Sequence, residues 1–317
     1  MATTASITSS YAGEHAGKWI SAALQEGLTL KNNLIEFLPN VKYKAVVSNL
    51  VSASGLADAT CDFTSTGAIT LTERVLTPKE LQVNKVICKQ DFHATWQAIE
   101  MGYSAHDVLP KSFADYLLSH QVLQVAKDIE TSIWNGATGT SGQFNGFMTL
   151  LTTDANLPSA NEVAGTTLSA SNILVEMRKV VDAIPTRMLW NQDLRIYVSQ
   201  AAARFYIQAL GGFGASGLGS NGVANSGTTW YAGQDLYIDG VKIEIAPGLT
   251  TNQMLATLKT NLFFGTGLFS DQTEIHMIDQ ALIDGSQNVK MVMRFTAGVQ
   301  YGNVSDIVTY GITNSAN

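Results

Sequence analysis

One long amphipathic pattern does most to restrict what this chain can fold into. Pro110 precedes Ser112, a good N-cap, and Asp115 follows three positions later, as in a capping box. Leu118, Val122, Val125, Ala126, Ile129 and Ile133 then recur at helical spacing, and Asn135-Gly136 closes the run. The pattern predicts a helix of about 24 residues, roughly 35 Å long and about twice the usual length. In a chain that otherwise reads as strand, such a rod acts as a spine.

Most of the other elements are extended. Residues 41–95 read as strand, with bends near 52–55 and 64–67; Ile69, Leu71 and Glu73 alternate with Thr70, Thr72 and Arg74. The run 81–88 is expected to pair with that preceding strand across Thr77-Pro78. A two-stranded ribbon is barely stable alone, which suggests an arm laid across another surface. Residues 1–16 read as a tail. A short helical pattern follows over 17–28, with Trp19, Ile20, Ala23 and Leu24 on one side, too short to own a core.

Beyond the spine come a Gly/Ser/Thr-rich loop (136–146), a helix near 171–184 stopped by Pro185, a buried strand at 194–198, and a helix capped by Ser199 that ends at Gly211-Gly212. Asp239-Gly240 between 236–238 and 241–245 is a strong hairpin signal. Further strands are expected at 262–264, 274–278, 289–295 and 304–310, with a turn at Asp284-Gly285. The fold class is α+β.

Charge narrows the function classes. Asp, Glu, Lys and Arg make up 14% of the chain, against about 25% in typical soluble domains. A sparse charged coat implies that much of the outer surface meets other protein, although a neutral secreted or all-β protein shares that composition. The net charge is −7, and the nearest thing to a basic patch is Lys42 with Lys44, so direct nucleic-acid gripping is not expected. Cys61 and Cys88 lack metal spacing and read as semi-buried thiols of a reducing cytoplasm. The start shows no signal peptide, and no apolar run reaches the roughly 18 residues of a membrane span.

Catalytic signatures fail on context. Gly212-Phe213-Gly214-Ala215-Ser216-Gly217 matches GxGxxG, yet it follows a helix and runs into more glycine, whereas dinucleotide sites follow a strand and open a helix. His15, His93, His106, His120 and His276 are scattered, and Asp154, Asp271 and Asp284 sit where turns favour Asp. Asn303-Val304-Ser305 fits a glycosylation sequon by chance. Trp96, Trp134, Trp190 and Trp230, with Tyr231, are aromatic anchors of core or interface. No cofactor, metal or catalytic residue is expected.

The order of elements (arm, extended ribbon, spine helix, strand–helix unit, closing strands) resembles the major capsid proteins of tailed double-stranded-DNA bacteriophages, the Hong Kong ninety-seven-type fold. LPKSFADYLLSHQVLQVAKDIETSIWNG (109–136) resembles the spine helix and its exit, NLFFGTGLFSDQTEIHMID (261–279) the return from the axial domain, and MRFTAGVQYG (293–302) the final peripheral strands. The resemblance implies an N-terminal arm (1–44), an extended loop over a neighbour (45–100), a peripheral domain with the spine (101–164), an axial domain (165–270) and closing peripheral strands (271–317). It implies no enzyme. The expected role is a subunit that self-assembles, as hexamers and pentamers, into an icosahedral shell around phage DNA that it touches only indirectly. A separate scaffolding protein, a portal and decoration proteins are its implied partners, with no membrane. The implied place is the virion, assembled in the host bacterial cytoplasm. Trp19, Ile20, Leu24, Phe37, Ile69, Leu71, Arg74 and Glu80 are the expected inter-subunit contacts. Nothing identifies the trio that cross-links some relatives. The competing readings are an encapsulin-like nanocompartment shell, a nucleotide-binding enzyme using residues 211–222, and an extracellular fibre or surface-layer protein.

Overall fold

A computed structural model of the chain describes residues 28–41, 43–52, 55–59, 61, 65–88, 111–211, 235–267, 275–280, 283 and 285–316. Within them the elements run α1 (Leu28–Lys31), β1 (Glu36–Leu38), β2 (Ala45–Ser52), β3 (Ile69–Leu76), β4 (Lys79–Cys88), α2 (Lys111–Asn135), α3 (Phe147–Leu151) and β5 (Glu162–Val163). Then follow α4 (Ile173–Asp182), β6 (Leu194–Val198), α5 (Gln200–Gly211), β7 (Leu236–Ile238), β8 (Val241–Ile245) and β9 (Met254–Leu258). The last elements are β10 (Leu262–Thr266), β11 (Ile275–Asp279), β12 (Asn288–Tyr301) and β13 (Val308–Tyr310). The expected helix at 17–28 lies outside the described residues apart from Leu28.

The spine is α2, 25 residues long. Val125, Ile129, Ile133 and Trp134 of its second half are buried, as the sequence spacing requires. It stops at Gly136, where a Cβ would stand 2.2 Å from the carbonyl oxygen of Phe144 and 2.6 Å from that of Ser132. Only a residue without a side chain lets the returning loop close on the helix end.

Two cores result. The first packs Trp134, Phe147, Met148, Phe264, Phe295 and Tyr301 between α2, α3 and a five-stranded sheet. That sheet is organised by β12, whose residues 288–297 pair antiparallel with β4, 289–293 with β11 and 297–301 with β10, while β1 adds to β10 in parallel. The second core packs Met177, Val180, Ala202 and Tyr206 of α4 and α5 against Ile196, Ile243 and Ala256. Its sheet has the order β5-β13-β9-β6-β8-β7. Helix α5 opens on Ser199, whose Oγ accepts the N–H of Ala202 at 3.1 Å. The β7–β8 turn has positive φ at both Asp239 (47°) and Gly240 (82°), the backbone that a two-residue hairpin demands.

The cores share Tyr197. Its ring leaves the second sheet to lie 5.1 Å from that of Trp134, and its hydroxyl donates to the Leu34 carbonyl at 2.7 Å. Two chain crossings also join them, β9 to β10 and β12 to β13, and Asn261 ties one to the other. Its Nδ2 donates to Asn303 O (2.8 Å) and its Oδ1 accepts Asn303 N–H (2.7 Å). Asn303 in turn accepts Ser305 N–H and Oγ–H, so the Asn-Val-Ser triplet caps a short turn of helix.

One pairing differs from expectation. The run 81–88 does not fold back on 69–76: β3 pairs with β2 in full register from Ala45↔Leu76 to Ser52↔Ile69, and β4 pairs with β12. Thr77-Pro78 explains it, because a tight hairpin needs positive φ and proline is locked near −65°. The chain therefore runs on from one sheet into another. Cys61 is exposed and only Cys88 is half-buried, against the expectation of two semi-buried thiols.

Candidate assembly surface

Alternation along β2 and β3 puts Val46, Leu50, Ile69, Leu71 and Val75 on one face of the ribbon, in the pairs Val46↔Val75 and Leu50↔Leu71, with Ile69 opposite Ser52. All five are between 44% and 71% exposed. Apolar side chains packed cross-strand would normally cover a core; these form an outward-facing stripe interrupted by the polar pair Ser48↔Glu73.

The other face holds the ribbon to the body. Leu76 is fully buried, and it lies so close to the bare backbone of Gly265 that a Cβ there would stand 2.5 Å from Leu76 Cδ2. Gln300 Nε2 donates to the Val75 carbonyl at 3.1 Å. Arg74 Nη2 meets Asp154 Oδ2 at 2.6 Å, and its guanidinium carbon lies 4.5 Å from the centre of the Tyr301 ring. Tyr301 donates its hydroxyl to the same Asp154 oxygen at 2.7 Å. Burial pushes the Asp154 carboxyl up, but the Tyr301 hydroxyl, the Asn156 N–H and Arg74 outweigh it and hold the group below the usual carboxylate range. Burial, then the hydrogen bond to Asp154, push the Tyr301 phenol well above its ordinary value.

A second polar node sits under the spine. Glu130 is buried and accepts from the N–H (3.1 Å) and hydroxyl of Thr29. Trp134 Nε1 also donates to it at 3.2 Å, and the Gly248 backbone adds a further hydrogen bond. Burial raises its carboxyl above the usual range, and those donors only partly offset the effect. Gly248 is pressed on the helix: a Cβ there would stand 2.2 Å from the Glu130 carbonyl oxygen. Glu130 thus clasps the N-terminal segment, the spine and the loop after β8.

Of the eight expected contact residues, Trp19, Ile20 and Leu24 lie outside the described residues. Ile69 and Leu71 belong to the exposed stripe. Phe37 is half-buried against Phe264, its ring 5.9 Å away, and Arg74 is engaged within its own subunit. Glu80, exposed on β4, stands opposite Thr296. Val46, Leu50 and Val75 were missed, because β2 had not been recognised as the partner of β3. The Gly-rich loop lies outside the described residues apart from Gly211. Among the described residues no group of three or more His, Cys, Asp or Glu could hold a metal ion, and no helix is long and apolar enough to cross a membrane.

No family model matches the sequence, and no curated protein matches it. Solved structures do resemble it. The chain overlays a structure of Mycobacterium phage Adephagia with a TM-score of 0.60 at 12% identity, over 95% of this chain and 93% of that one. The capsid of an empty GTA particle gives 0.56 at 13% identity, over 92% of each chain. The capsid of cyanophage P-SCSP1u gives 0.54 at 12%, over 90% and 88%. Over nearly its whole length the chain therefore has the fold of tailed-phage capsid proteins, the Hong Kong ninety-seven type.

Proposed function

We propose that this chain is a shell-building subunit: many copies associate into a closed icosahedral capsid around phage DNA, without catalysis. The observation that carries the reading is the ribbon, held by one face and bare on the other. Burying its five half-exposed aliphatic side chains on a neighbour is worth roughly 1 kcal/mol each. One such contact is weak, but closure multiplies it. Residues 45–100, of which β4 is anchored in the first sheet, then act as the extended loop, residues up to about 44 as an arm, the first core as the peripheral domain and the second as the axial domain. Ile69 and Leu71, with Val46, Leu50 and Val75, serve as inter-subunit contacts. The low charge and the absence of a basic run fit a shell that meets its DNA indirectly. A scaffolding protein, a portal and decoration proteins are its partners, and the virion is its destination after assembly in the host cytoplasm.

The test is negative-stain microscopy of the purified full chain, with sedimentation velocity alongside. Closed shells, tubes, or rings of five and six are expected. A monomer at every concentration that also binds a nucleotide would overturn the reading in favour of an enzyme.

A further inference from the structure

The ribbon is tied to the body at one end. Its ties are the Leu76 side chain against Gly265, the Val75 carbonyl accepting from Gln300 (3.1 Å), and the Arg74 ion pair with Asp154 (2.6 Å). Farther out, among the described residues, its side-chain hydrogen bonds stay within the ribbon: Thr72 Oγ1 to Asn49 O (3.2 Å) and Thr66 Oγ1 to Gly55 O (2.8 Å). The two sides of the base are unlike, although Arg74 and Val47 stand directly across from each other. On the β3 side Arg74 is bedded on Asp154 and the Tyr301 ring. On the β2 side a cleft of about 240 Å³ lies between Val47 and Asn49 and the body residues Asn261, Phe263 and Asn303. Leu76 is thus a pivot, and the cleft leaves the ribbon room to swing about it.

Arg74 is the tie that resists this swing. Leu76 sits at the pivot and has no leverage, and the Val75 carbonyl, one residue out, has a single neutral hydrogen bond. The Arg74 bed fixes a direction as well as a distance. The Asp154 side chain is only 8% exposed, its Oδ2 also accepts the Tyr301 hydroxyl (2.7 Å), and the guanidinium lies over the Tyr301 ring at 4.5 Å. A planar guanidinium with one carboxylate and one ring to satisfy has few orientations open to it.

We propose that Arg74, Asp154 and Tyr301 form a latch that fixes the angle at which the ribbon leaves its own subunit, and that this angle selects the curvature of the assembly; the second half rests on the shell reading above. From Leu76 to Ile69 the strand advances about 24 Å, so a turn of about 10° at the base carries Ile69 about 4 Å, nearly one spacing between neighbouring strands. The aliphatic stripe cannot set that angle, because hydrophobic contact is non-directional. The stripe supplies adhesion and the latch supplies geometry. A rotation between neighbours decides whether repeated contacts close or run on as tubes.

The test reads the angle directly in the unassembled subunit. Spin labels are placed at Thr70→Cys on the ribbon and Lys259→Cys on the body, in a chain carrying Cys61→Ser and Cys88→Ser. The intact latch should give one narrow distance distribution, and Arg74→Gln should broaden it by about 3–4 Å. Asp154→Asn, of nearly the same shape without the charge, should do the same. Arg74→Lys keeps the charge but not the planar fork, and should fall between them. Under assembly conditions the latch variants should still associate, because the stripe is intact, but into tubes or shells of several diameters where the wild type gives one. A distribution as narrow in Asp154→Asn as in wild type overturns the latch, even if Arg74→Gln fails to fold or melts lower. Uniform shells of wild-type size from a variant with a broadened distribution overturn the link from angle to curvature. A wild-type chain that never assembles takes down the shell reading, and the distance measurement still decides the latch.

Discussion

At the scale of single residues, the buried carboxyls carry opposite pH signatures. The Glu130 carboxyl is raised above 4.5 in the fold, mainly by burial. The folded subunit therefore holds that proton more tightly than the unfolded chain, and stability falls as pH rises from about 4.5 through the folded value. In denaturant titrations of the unassembled subunit, Glu130→Gln should gain on wild type across that window, by no more than about 1.4 kcal/mol per pH unit. A difference that stays flat with pH would refute the assignment. Asp154 behaves in reverse: lowered below 3.8, it stabilises above that value and loses the contribution as pH falls through its folded value. Neither node was readable from sequence. Asp154 looked like a turn residue because Arg74 and Tyr301 are 80 and 147 positions away in the chain, and Glu130 carries no local signal because its partner Thr29 is 101 positions away.

At the scale of elements, the ribbon's two faces should respond differently. Leu50→Ser with Leu71→Ser should leave the subunit's unfolding midpoint within about 1 °C and abolish assembly, since both side chains are more than half exposed. Leu76→Ala, on the buried side, should destabilise the subunit by about 2–5 kcal/mol. Thermal melts beside sedimentation separate the two; equal loss of stability in both variants would show that the stripe is packed after all. The spine was legible from its periodicity and its Gly136 stop, although it begins at Lys111, one residue ahead of the expected cap Ser112, so its start was not; α5 and the β7–β8 hairpin were legible because their cap and turn residues are local. Strand β9, with the sequence Met-Leu-Ala-Thr-Leu, was not: it is buried almost throughout, so it lacks alternation, and Ala and Thr carry little strand signal. The partner of β3 was missed for another reason: proximity in the chain favoured 81–88, and the veto lay in Thr77-Pro78.

At the scale of the whole molecule, the two cores are coupled through Tyr197 and the Asn261–Asn303 tie. Asn261→Ala strands the N–H and carbonyl of Asn303 and should cost about 1–3 kcal/mol. Hydrogen exchange should then show β6 and β9 opening separately from β10 and β12; synchronous exchange in both sheets would count against the tie as the coupler. The overall class followed from element order alone, whereas the division into two cores depends on β9, which was not expected, and on the long-range pairing of β13 with β9 and β5, which no local signal carries.

The hub role of β12 has a consequence for biosynthesis. Every strand that it organises is made before it, and the last residue of β4 precedes the first of β12 by 200 positions (288 minus 88). At roughly 5–20 residues per second, β4 waits about 10–40 s on the ribosome for its mate. Throughout that interval the first sheet cannot exist, and the ribbon has no body to stand on. A nascent or prematurely terminated chain therefore has no first sheet and no seated ribbon, and, if the chain builds a shell as proposed, the late strand makes completion of translation a condition of membership.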